Sequence, residues 1–276
     1  MSQKTGIAWT DSTWNPVVGC QKVSEGCRNC YAKDLHDLRH KAHQEGKRMP
    51  AQYAQPFNVV QLLEDRLEMP LHWRKPRRIF VNSVSDLWHD AVPFTFITRV
   101  FDAMRRAHWH TFQVLTKRAE RMFTWSLLMQ QPWPENVWLG VSVENQGMAH
   151  KRIGYLNQVP AALRFVSCEP LLGPLDLNGS LGQDGVQWVI AGGESGRAAR
   201  PMHVDWARGL RDQCVRDGVP FFFKQWGEWC PVNQTQVQDK LGKALHRWDD
   251  ETLSLRVGVD AAGHLLDGVT WRTMPR

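Results

Sequence analysis

Three cysteines close together are the residues of this sequence best suited to chemistry. Cys20, Cys27 and Cys30 follow a C-x6-C-x2-C spacing, and Gly19 and Gly26 lie beside them. Thiolates in one loop can converge on one metal centre, and glycines let the backbone fold tightly around it. Closed zinc sites and ordinary iron–sulfur clusters use four protein ligands, so three cysteines leave one coordination position open. The spacing therefore predicts an iron–sulfur cluster with room for a substrate or cofactor.

Two alternatives remain open for these cysteines. His36 could supply a fourth ligand and complete a structural Cys3His zinc site. The three residues could also be reduced thiols that hold no metal. Cys168 and Cys214 lie in apolar segments, and we interpret them as small core residues. Because the amino-terminal residues show no apolar leader, we expect a cytoplasmic protein in which disulfides are rare.

Composition and charge narrow the functional classes. The 276 residues are 42% hydrophobic and 22% charged, which excludes disordered and fibrous proteins. No apolar run approaches the roughly 18 residues of a membrane span, so we expect no membrane partner. The net charge is +6, and residues 72–121 hold ten Lys and Arg against four Asp and Glu. This basic strip favours DNA, RNA or a nucleotide as a partner, and an ordinary solvated surface is the alternative. Trp88, Trp226 and Trp229 could stack on bases, or they could belong to an aromatic core.

A repeated pattern of short apolar strands and helical segments must position these residues. Such alternation is typical of parallel strands buried on both faces. We predict an α/β fold: a partial or closed (β/α) TIM-like barrel over residues 1–230 that includes the three-cysteine loop. A doubly wound open sheet is the alternative. We predict an appendage over residues 231–276, with a Gln-rich loop or lid and then a β-hairpin that pairs residues 255–259 with 264–268.

Polar residues follow each predicted strand at the point where it ends. Functional groups of parallel α/β folds gather at these carboxyl ends. The sequence therefore predicts a site built from such clusters. Its members are Asn82, Ser83, Asp86, Thr116, Lys117, Arg118, Ser142, Glu144, Asn145, Ser167, Glu169, Gly192, Gly193, Glu194, Ser195, Lys224, Gln225 and Trp226.

Motifs along almost the whole chain resemble a family of phage and prophage proteins with a three-cysteine motif. They include Trp-Thr-Asp-Ser-Thr-Trp-Asn-Pro before the cysteines, Ser-Cys-Glu-Pro-Leu-Leu-Gly-Pro at 167–174 and Gly-Gly-Glu-Ser-Gly at 192–196. That family is similar to radical S-adenosylmethionine (SAM) enzymes, including the DNA-repair lyases that act on spore photoproducts. The resemblance implies a [4Fe–4S] cluster on Cys20, Cys27 and Cys30. It also implies SAM at the open iron, where cleavage of the sulfonium yields a 5′-deoxyadenosyl radical.

The resemblance further implies roles for the strand-end residues. Gly192 and Gly193 would let the backbone approach the amino group of SAM. The other implied cofactor-binding residues are Glu194, Ser195, Ser142, Glu144, Asn145, Asn82 and Arg118. The implied catalytic residues are Glu169, Lys117 and Lys224.

Two functions therefore remain open. The first is an iron–sulfur enzyme, resembling radical SAM proteins, that modifies or repairs a nucleic acid or nucleotide. The second is a non-catalytic phage protein that a zinc ion or cluster stabilises and that binds nucleic acid or a partner protein encoded nearby. The absence of a fourth cysteine near the other three favours the enzyme. The six-residue first gap, where radical SAM enzymes mostly have three residues, favours the binding protein.

Overall fold

A computed structural model describes residues 5–235 and 242–275. Gln236 and Gln238 of the predicted lid lie outside the described residues. The chain forms two compact units. The first contains the residues through Val141 together with Gln158–Leu163, and the second contains Ser142–Asn157 and the residues from Arg164 onward. The division predicted at residue 230 stays a prediction.

The helices and strands alternate along most of the chain. In the first unit they are β1 (Ser12–Trp14), β2 (Val17–Val18), α1 (Tyr31–Gln44), β3 (Gln61–Leu62), β4 (Arg78–Val81), α2 (Phe94–Arg106), β5 (Thr111–Thr116), α3 (Ala119–Leu127) and β6 (Val137–Ser142), whose last residue belongs to the second unit. The second unit continues with α4 (Gln146–Leu156), β7 (Leu163–Cys168, whose first residue belongs to the first unit), β8 (Trp188–Gly192), α5 (Val204–Arg216), β9 (Phe221–Gln225), β10 (Trp229–Pro231), β11 (Leu245–Arg247), β12 (Leu253–Arg256), α6 (Val259–Ala262), β13 (Leu265–Leu266) and β14 (Val269–Thr270).

Seven of these strands form one sheet in the order β1-β4-β5-β6-β7-β8-β9. Pairing is parallel from β1 through β6 and from β7 through β9. Consecutive parallel strands joined by helices are the arrangement of a (β/α) barrel. β1 and β9 end the order, so the sheet is the partial form of the predicted barrel. The predicted α/β fold class is confirmed.

The core of the first unit follows from the apolar periodicity of α2. Ile97, Val100, Phe101 and Met104 recur at helical spacing, and all four are buried. Trp88 is also fully buried, with ring centroids 6.2 Å from Phe101 and 6.1 Å from Trp125. The expectation that Trp88 stacks on bases is therefore wrong, because its ring fills the core.

In the second unit Trp226 is likewise a core residue. Its ring lies 4.9 Å from that of Phe223, and its Nε1 donates to the carbonyl of Leu265 at 2.8 Å. Trp226 is almost fully buried, so its predicted stacking on bases is also wrong. Trp229 is half-buried, and its Nε1 donates to the carbonyl of Ala199 at 2.7 Å.

The predicted antiparallel extension at the carboxyl terminus is present, but its pairing differs from the prediction. β12 pairs with both β10 and β11, whereas β13 pairs with β14. The predicted turn between residues 255–259 and 264–268 contains α6, which Gly258 and Gly263 bound with positive φ angles of 86° and 66°. These glycines admit a helical turn where a tight hairpin was expected.

Within the described part of the chain, every helix is too short or too polar to cross a membrane.

Buried His110 makes the stability of the fold depend on pH. Its Nε2 lies 3.1 Å from the carbonyl of Pro70, and burial lowers the pKa of its imidazole below 6.5. As the pH falls from 7 to 5, His110 is therefore protonated more readily in the unfolded chain than in the folded protein. We expect the free energy of unfolding to decrease over this range, with this group contributing at most about 1.4 kcal/mol per pH unit. Urea denaturation at both pH values should show a shallower decrease for His110→Gln, and an equal decrease would contradict the assignment.

Candidate functional site

The three-cysteine loop is fixed at its start by Gly19 and Cys20. Gly19 has a φ of 85°, and a Cβ there would lie 2.3 Å from the carbonyl oxygen of Val59. Only glycine fits this combination of positive φ and close backbone approach. The amide of Cys20 donates to the carbonyl of Phe57 at 2.9 Å. These contacts hold the first cysteine in place beside the end of β2.

Cys27 and Cys30 are placed by the start of α1. The amide of Cys27 donates to the carbonyl of Ser24 at 2.9 Å, which closes a short turn. Cys30 is the N-cap residue of α1. All three cysteines are free and half-buried. The structure thus brings the predicted ligands into one anchored loop.

The spacing of the ligand atoms bears on which metal fits this loop. Among the described residues, the only His, Cys, Asp or Glu ligand atoms that come within 4.8 Å of one another in groups of three are those of His203, Asp205 and Asp250. The three cysteine sulfurs therefore do not form so compact a set. Tetrahedral zinc with bonds of about 2.3 Å would hold its sulfurs about 3.8 Å apart. A [4Fe–4S] cluster binds each cysteine to a separate iron and so accepts more widely separated sulfurs.

His36, the predicted fourth zinc ligand, has a structural role. It is buried on α1, and its Nε2 lies 2.9 Å from the carbonyl oxygen of Gln55. Its ring packs edge-on against Tyr53 and Phe57, with centroid distances of 5.1 and 5.4 Å. Since this nitrogen already has a partner, His36 fits a core residue of α1 better than a ligand.

A buried ion pair stands directly behind Cys20. Arg118 and Asp86 approach to 3.2 Å, and only 8% of each side chain is exposed. Nη1 of Arg118 lies 3.7 Å from Sγ of Cys20, and Nη2 donates to the carbonyl of Gln21 at 3.1 Å. Asp86 also accepts from the backbone amide of Lys117 at 3.1 Å. The first unit thus brings the predicted residues Cys20, Lys117 and Arg118 around one carboxylate.

Burial dominates the titration of Cys20. It raises the pKa of the Cys20 thiol to about 11, and the charge of Asp86 acts in the same direction, while Arg118 opposes both. The thiol is therefore protonated at neutral pH in the metal-free protein. Metal binding must displace this proton, so the positive charge of Arg118 favours the ligated form.

Asn82 combines two local irregularities at the end of β4. It is a non-glycine residue with a φ of 59°, and only 2% of it is exposed. Its Oδ1 accepts from the amide of Val17 at 3.3 Å, but its buried Nδ2 has no partner among the described residues. Strained backbone and unsatisfied buried donors are uncommon and concentrate at functional sites. The neighbouring carbonyl of Ser83 accepts from the hydroxyl of Tyr31.

In the second unit, three strand-end carboxylates each have a basic partner. Glu169 lies 2.6 Å from Lys224, Glu194 lies 2.6 Å from Arg200, and Glu144 lies 2.8 Å from Arg152. The side chains of Arg152 and Glu144 are buried, with 4% and 1% of their surface exposed. Those of Lys224 and Glu169 are more accessible, with 21% and 19% exposed. The predicted catalytic residues Glu169 and Lys224 are thus adjacent, and both face solvent in part.

The other predicted cofactor residues of this unit have local structural partners. The carbonyl of Ser142 accepts from Arg152 at 2.7 Å, and Oδ1 of Asn145 caps α4 through the amide of Met148 at 3.1 Å. Arg200 binds both carboxylate oxygens of Glu194, at 2.6 and 2.9 Å. Ser195 is half-buried. The contacts of Asn145 and Glu194 explain these two residue types without a ligand.

Of the paired glycines at the end of β8, packing requires the second. A Cβ on Gly193 would lie 1.8 Å from the carbonyl oxygen of Trp226. A Cβ on Gly192 would lie 3.4 Å from the carboxyl carbon of Glu169. Gly193 therefore permits two backbone segments to touch, and Gly192 leaves room for the Glu169 carboxylate. The predicted approach of SAM to these glycines stays a prediction.

Part of the basic strip pairs with carboxylates of the first unit. Arg78 pairs with Asp11, Arg99 with Glu64 and Arg106 with Glu68, and these six side chains are all substantially exposed. Arg118, a further member of the strip, is buried against Asp86. The excess of basic residues seen along the sequence therefore overstates the charge that a phosphate would meet.

Sequence reasoning missed several of these partners. Asp86 was assigned to a polar cluster, but its place at the centre of a hydrogen-bond network was not foreseen. Arg152 was not predicted as the partner of Glu144. Its position, eight residues or about two helical turns after Glu144, is a signal that could have indicated the pair. His203 was also missed: its Nδ1 accepts from the amide of Asp205 at 3.2 Å to cap α5, and its Nε2 contacts Asp250 at 3.1 Å.

Comparisons with known proteins place the chain in a family. Residues 4–275 match the family model described as "Protein of unknown function (DUF5131)", and the chain belongs to that family. No curated protein matches it. Solved structures of spore photoproduct lyase are similar in fold. A double mutant of that lyase with bound AdoMet and dinucleoside spore photoproduct has a TM-score of 0.43 and 9% identity, and the match covers 90% of this chain and 68% of that one. A cysteine-to-serine mutant of the lyase has a TM-score of 0.42 and 10% identity, with coverage of 93% and 71%.

The sealed Glu144–Arg152 pair predicts a large effect on stability. Arg152→Met leaves the carboxylate of Glu144 buried without its charged partner, and we expect the free energy of unfolding to fall by about 3–5 kcal/mol. Replacing both residues, as Glu144→Leu with Arg152→Met, should recover much of this loss. Arg247→Met breaks an exposed pair with Glu251 and should cost less than about 1 kcal/mol. In urea denaturation, a comparably small loss for Arg152→Met would contradict the structural role of Glu144.

Proposed function

We propose that this member of the DUF5131 family is an iron–sulfur enzyme of the radical SAM type. It would hold a [4Fe–4S] cluster on Cys20, Cys27 and Cys30, bind SAM, and modify or repair a nucleic acid or nucleotide. The observation that carries the proposal is the anchored loop with three free, half-buried cysteines. Three thiolates hold a cluster and leave one iron without a protein ligand, as binding of a small cofactor requires.

The ligand geometry favours a cluster over zinc. The sulfurs are not gathered into a set within 4.8 Å, and His36 bonds to the carbonyl oxygen of Gln55. Zinc would need both a tighter set of sulfurs and a fourth protein ligand to close its tetrahedron. A cluster needs neither. The three residues therefore fit the iron–sulfur group better than the structural zinc site of the alternative function.

The cofactor pair, when bound, would supply one-electron cleavage of a sulfonium and radical abstraction of hydrogen from substrate. The role of the chain is to bind and orient these groups. Asn82 offers a buried amide nitrogen with no partner among the described residues, which suits a ribose hydroxyl or the carboxylate of SAM. Arg118 donates toward Cys20, and Asp86 holds Arg118 in place.

Glu169 and Lys224 are the pair that we assign to proton transfer. Nζ of Lys224 lies 2.6 Å from Oε1 of Glu169, and both side chains keep about a fifth of their surface exposed. In this role Nζ of Lys224 donates a proton to a substrate anion, and Glu169 holds Nζ in position. We assign Lys117 to a supporting role beside Asp86, with which its amide bonds. The net charge of +6 supports a substrate that carries phosphate.

Metal analysis tests the cluster directly. Protein purified without oxygen should contain about four irons per chain and show a broad absorption band near 400 nm that dithionite bleaches. Replacing Cys20, Cys27 or Cys30 by Ala should abolish iron binding, because each supplies one iron ligand. Cys214→Ala, which changes a buried thiol of α5, is the matched control and should keep the iron. One zinc per chain and no visible band would instead support the non-catalytic binding protein.

SAM binding tests the role of Asn82. Asn82→Gly preserves the positive φ and removes the amide. If the Nδ2 group donates to SAM, its loss should weaken SAM binding by about 10- to 100-fold, the range for a hydrogen bond to a charged group. The change that SAM causes in the electron paramagnetic resonance spectrum of the reduced cluster measures the affinity. An unchanged affinity in a variant with full iron content would remove Asn82 from the site.

A further inference from the structure

We propose that Arg118 is a positioning residue that raises the reduction potential of the metal centre at Cys20. This inference rests on the proposed function, since it requires an iron–sulfur cluster in the three-cysteine loop. The observation that carries it is the contact between Nη1 of Arg118 and Sγ of Cys20, at 3.7 Å across 98 residues of sequence. A hydrogen bond to a ligand sulfur and a nearby net charge are two principal determinants of cluster potential.

The guanidinium of Arg118 is held in place on several sides. Nη1 reaches the Asp86 carboxylate at 3.2 Å, and Nη2 donates to the carbonyl of Gln21 at 3.1 Å. The backbone amide of Arg118 donates to Oγ1 of Thr116 at 2.9 Å. Only 8% of the Arg118 side chain is exposed, so solvent screens its charge weakly. The charge therefore cannot withdraw from the sulfur without breaking the contacts of the guanidinium with Asp86 and with the carbonyl of Gln21.

Asp86 is fixed in turn by donors that leave it little freedom. Its carboxylate accepts from the hydroxyl of Thr116 at 2.7 Å, from the amide of Trp88 at 3.0 Å and from the amide of Lys117 at 3.1 Å. Because these three bonds already fix the carboxylate of Asp86, it can hold the guanidinium of Arg118 in one orientation. A planar guanidinium can meet a carboxylate, a carbonyl and a sulfur at once, which a lysine ammonium on a flexible stem does poorly.

The electrostatic consequence has a definite sign. Reduction adds one electron, taken from an external low-potential reductant, to a centre whose ligands are already anionic. A fixed positive charge and an N–H donor at a ligand sulfur stabilise this more negative state and raise the potential. Asp86 opposes the effect with its own charge but, as an ionised acceptor, donates nothing to the sulfur. Removing Arg118 should therefore lower the potential, and neutralising Asp86 should raise it.

A purely structural role for Arg118 makes a different prediction. If Arg118 only closed the loop onto β5, its loss would reduce iron content or stability without shifting the potential of the cluster that still forms. Arg121 provides the matched control. It lies one helical turn further on, contacts Asp90 at 3.8 Å and donates to the carbonyl of Val92 at 2.6 Å.

The test is a redox titration of the cluster, followed by electron paramagnetic resonance, in wild type, Arg118→Gln, Asp86→Asn and Arg121→Gln. For Arg118→Gln we expect the ratio of reduced to oxidised cluster at a fixed potential to fall at least tenfold, a shift of about 59 mV for one electron. Asp86→Asn should shift the potential upward, and Arg121→Gln should leave it unchanged.

The outcomes separate the two proposals. Wild type that binds no iron overturns the proposed function. Wild type with a cluster, and Arg118→Gln with a cluster of unchanged potential, overturns only the role of Arg118. If Arg118→Gln fails to hold iron, Arg118→Lys decides the question, because an ammonium keeps the charge but cannot meet Asp86 and Sγ of Cys20 with one planar group: a potential below that of wild type supports the role of the guanidinium, and an unchanged potential overturns it.

Discussion

The first unit depends on satisfying one buried carboxylate. Asp86 sits where β4 has ended, and it is almost inaccessible to water. An unpaired charge there would lower the free energy of unfolding by several kcal/mol, so the folded chain must bring hydrogen-bond donors to it. It does so from β5, whose last residue donates a hydroxyl and whose next two residues donate an amide and a guanidinium. The same guanidinium then reaches the cysteine loop. One electrostatic requirement thus links two strand ends and the candidate metal ligands.

The second unit satisfies the same requirement in a more local way. Each of its strand-end glutamates has its own basic partner, and the exposed fraction of the pairs differs widely. The Glu144–Arg152 pair is sealed, so any ligand would have to break a buried ion pair to reach it. The Glu169–Lys224 pair is reachable and lies against a glycine that leaves space beside the carboxylate. This difference in exposure favours Glu169 and Lys224 as the residues that meet a substrate.

The parts of the structure that follow from periodicity and spacing could be predicted from the sequence. The parallel strands, the buried face of α2 and the clustering of the cysteines depend on near neighbours in the chain. The pairing of the carboxyl-terminal strands could not be predicted, because β12 pairs on both sides with short strands that precede it, and strands of three residues carry too little alternation to fix a partner. The partners of Asp86 and Glu144 were also beyond reach. Which base meets which acid is decided by three-dimensional proximity, and composition records only that both are present.

Departures from local rules indicate where the first unit is under functional constraint. Asn82 adopts a backbone conformation that asparagine tolerates at some cost, and it keeps a buried donor without a partner among the described residues. Nε of Arg118 is one of several further buried donors for which that part of the chain supplies no acceptor, and Arg118 alone among those residues contacts Cys20. A fold selected for stability alone would remove such groups, since each unsatisfied donor costs about 1–3 kcal/mol. In the second unit, by contrast, the carboxylates that resembled cofactor ligands are fully paired. Asn82 and Arg118 are therefore the residues near the start of the cysteine loop whose buried donors a bound group could satisfy.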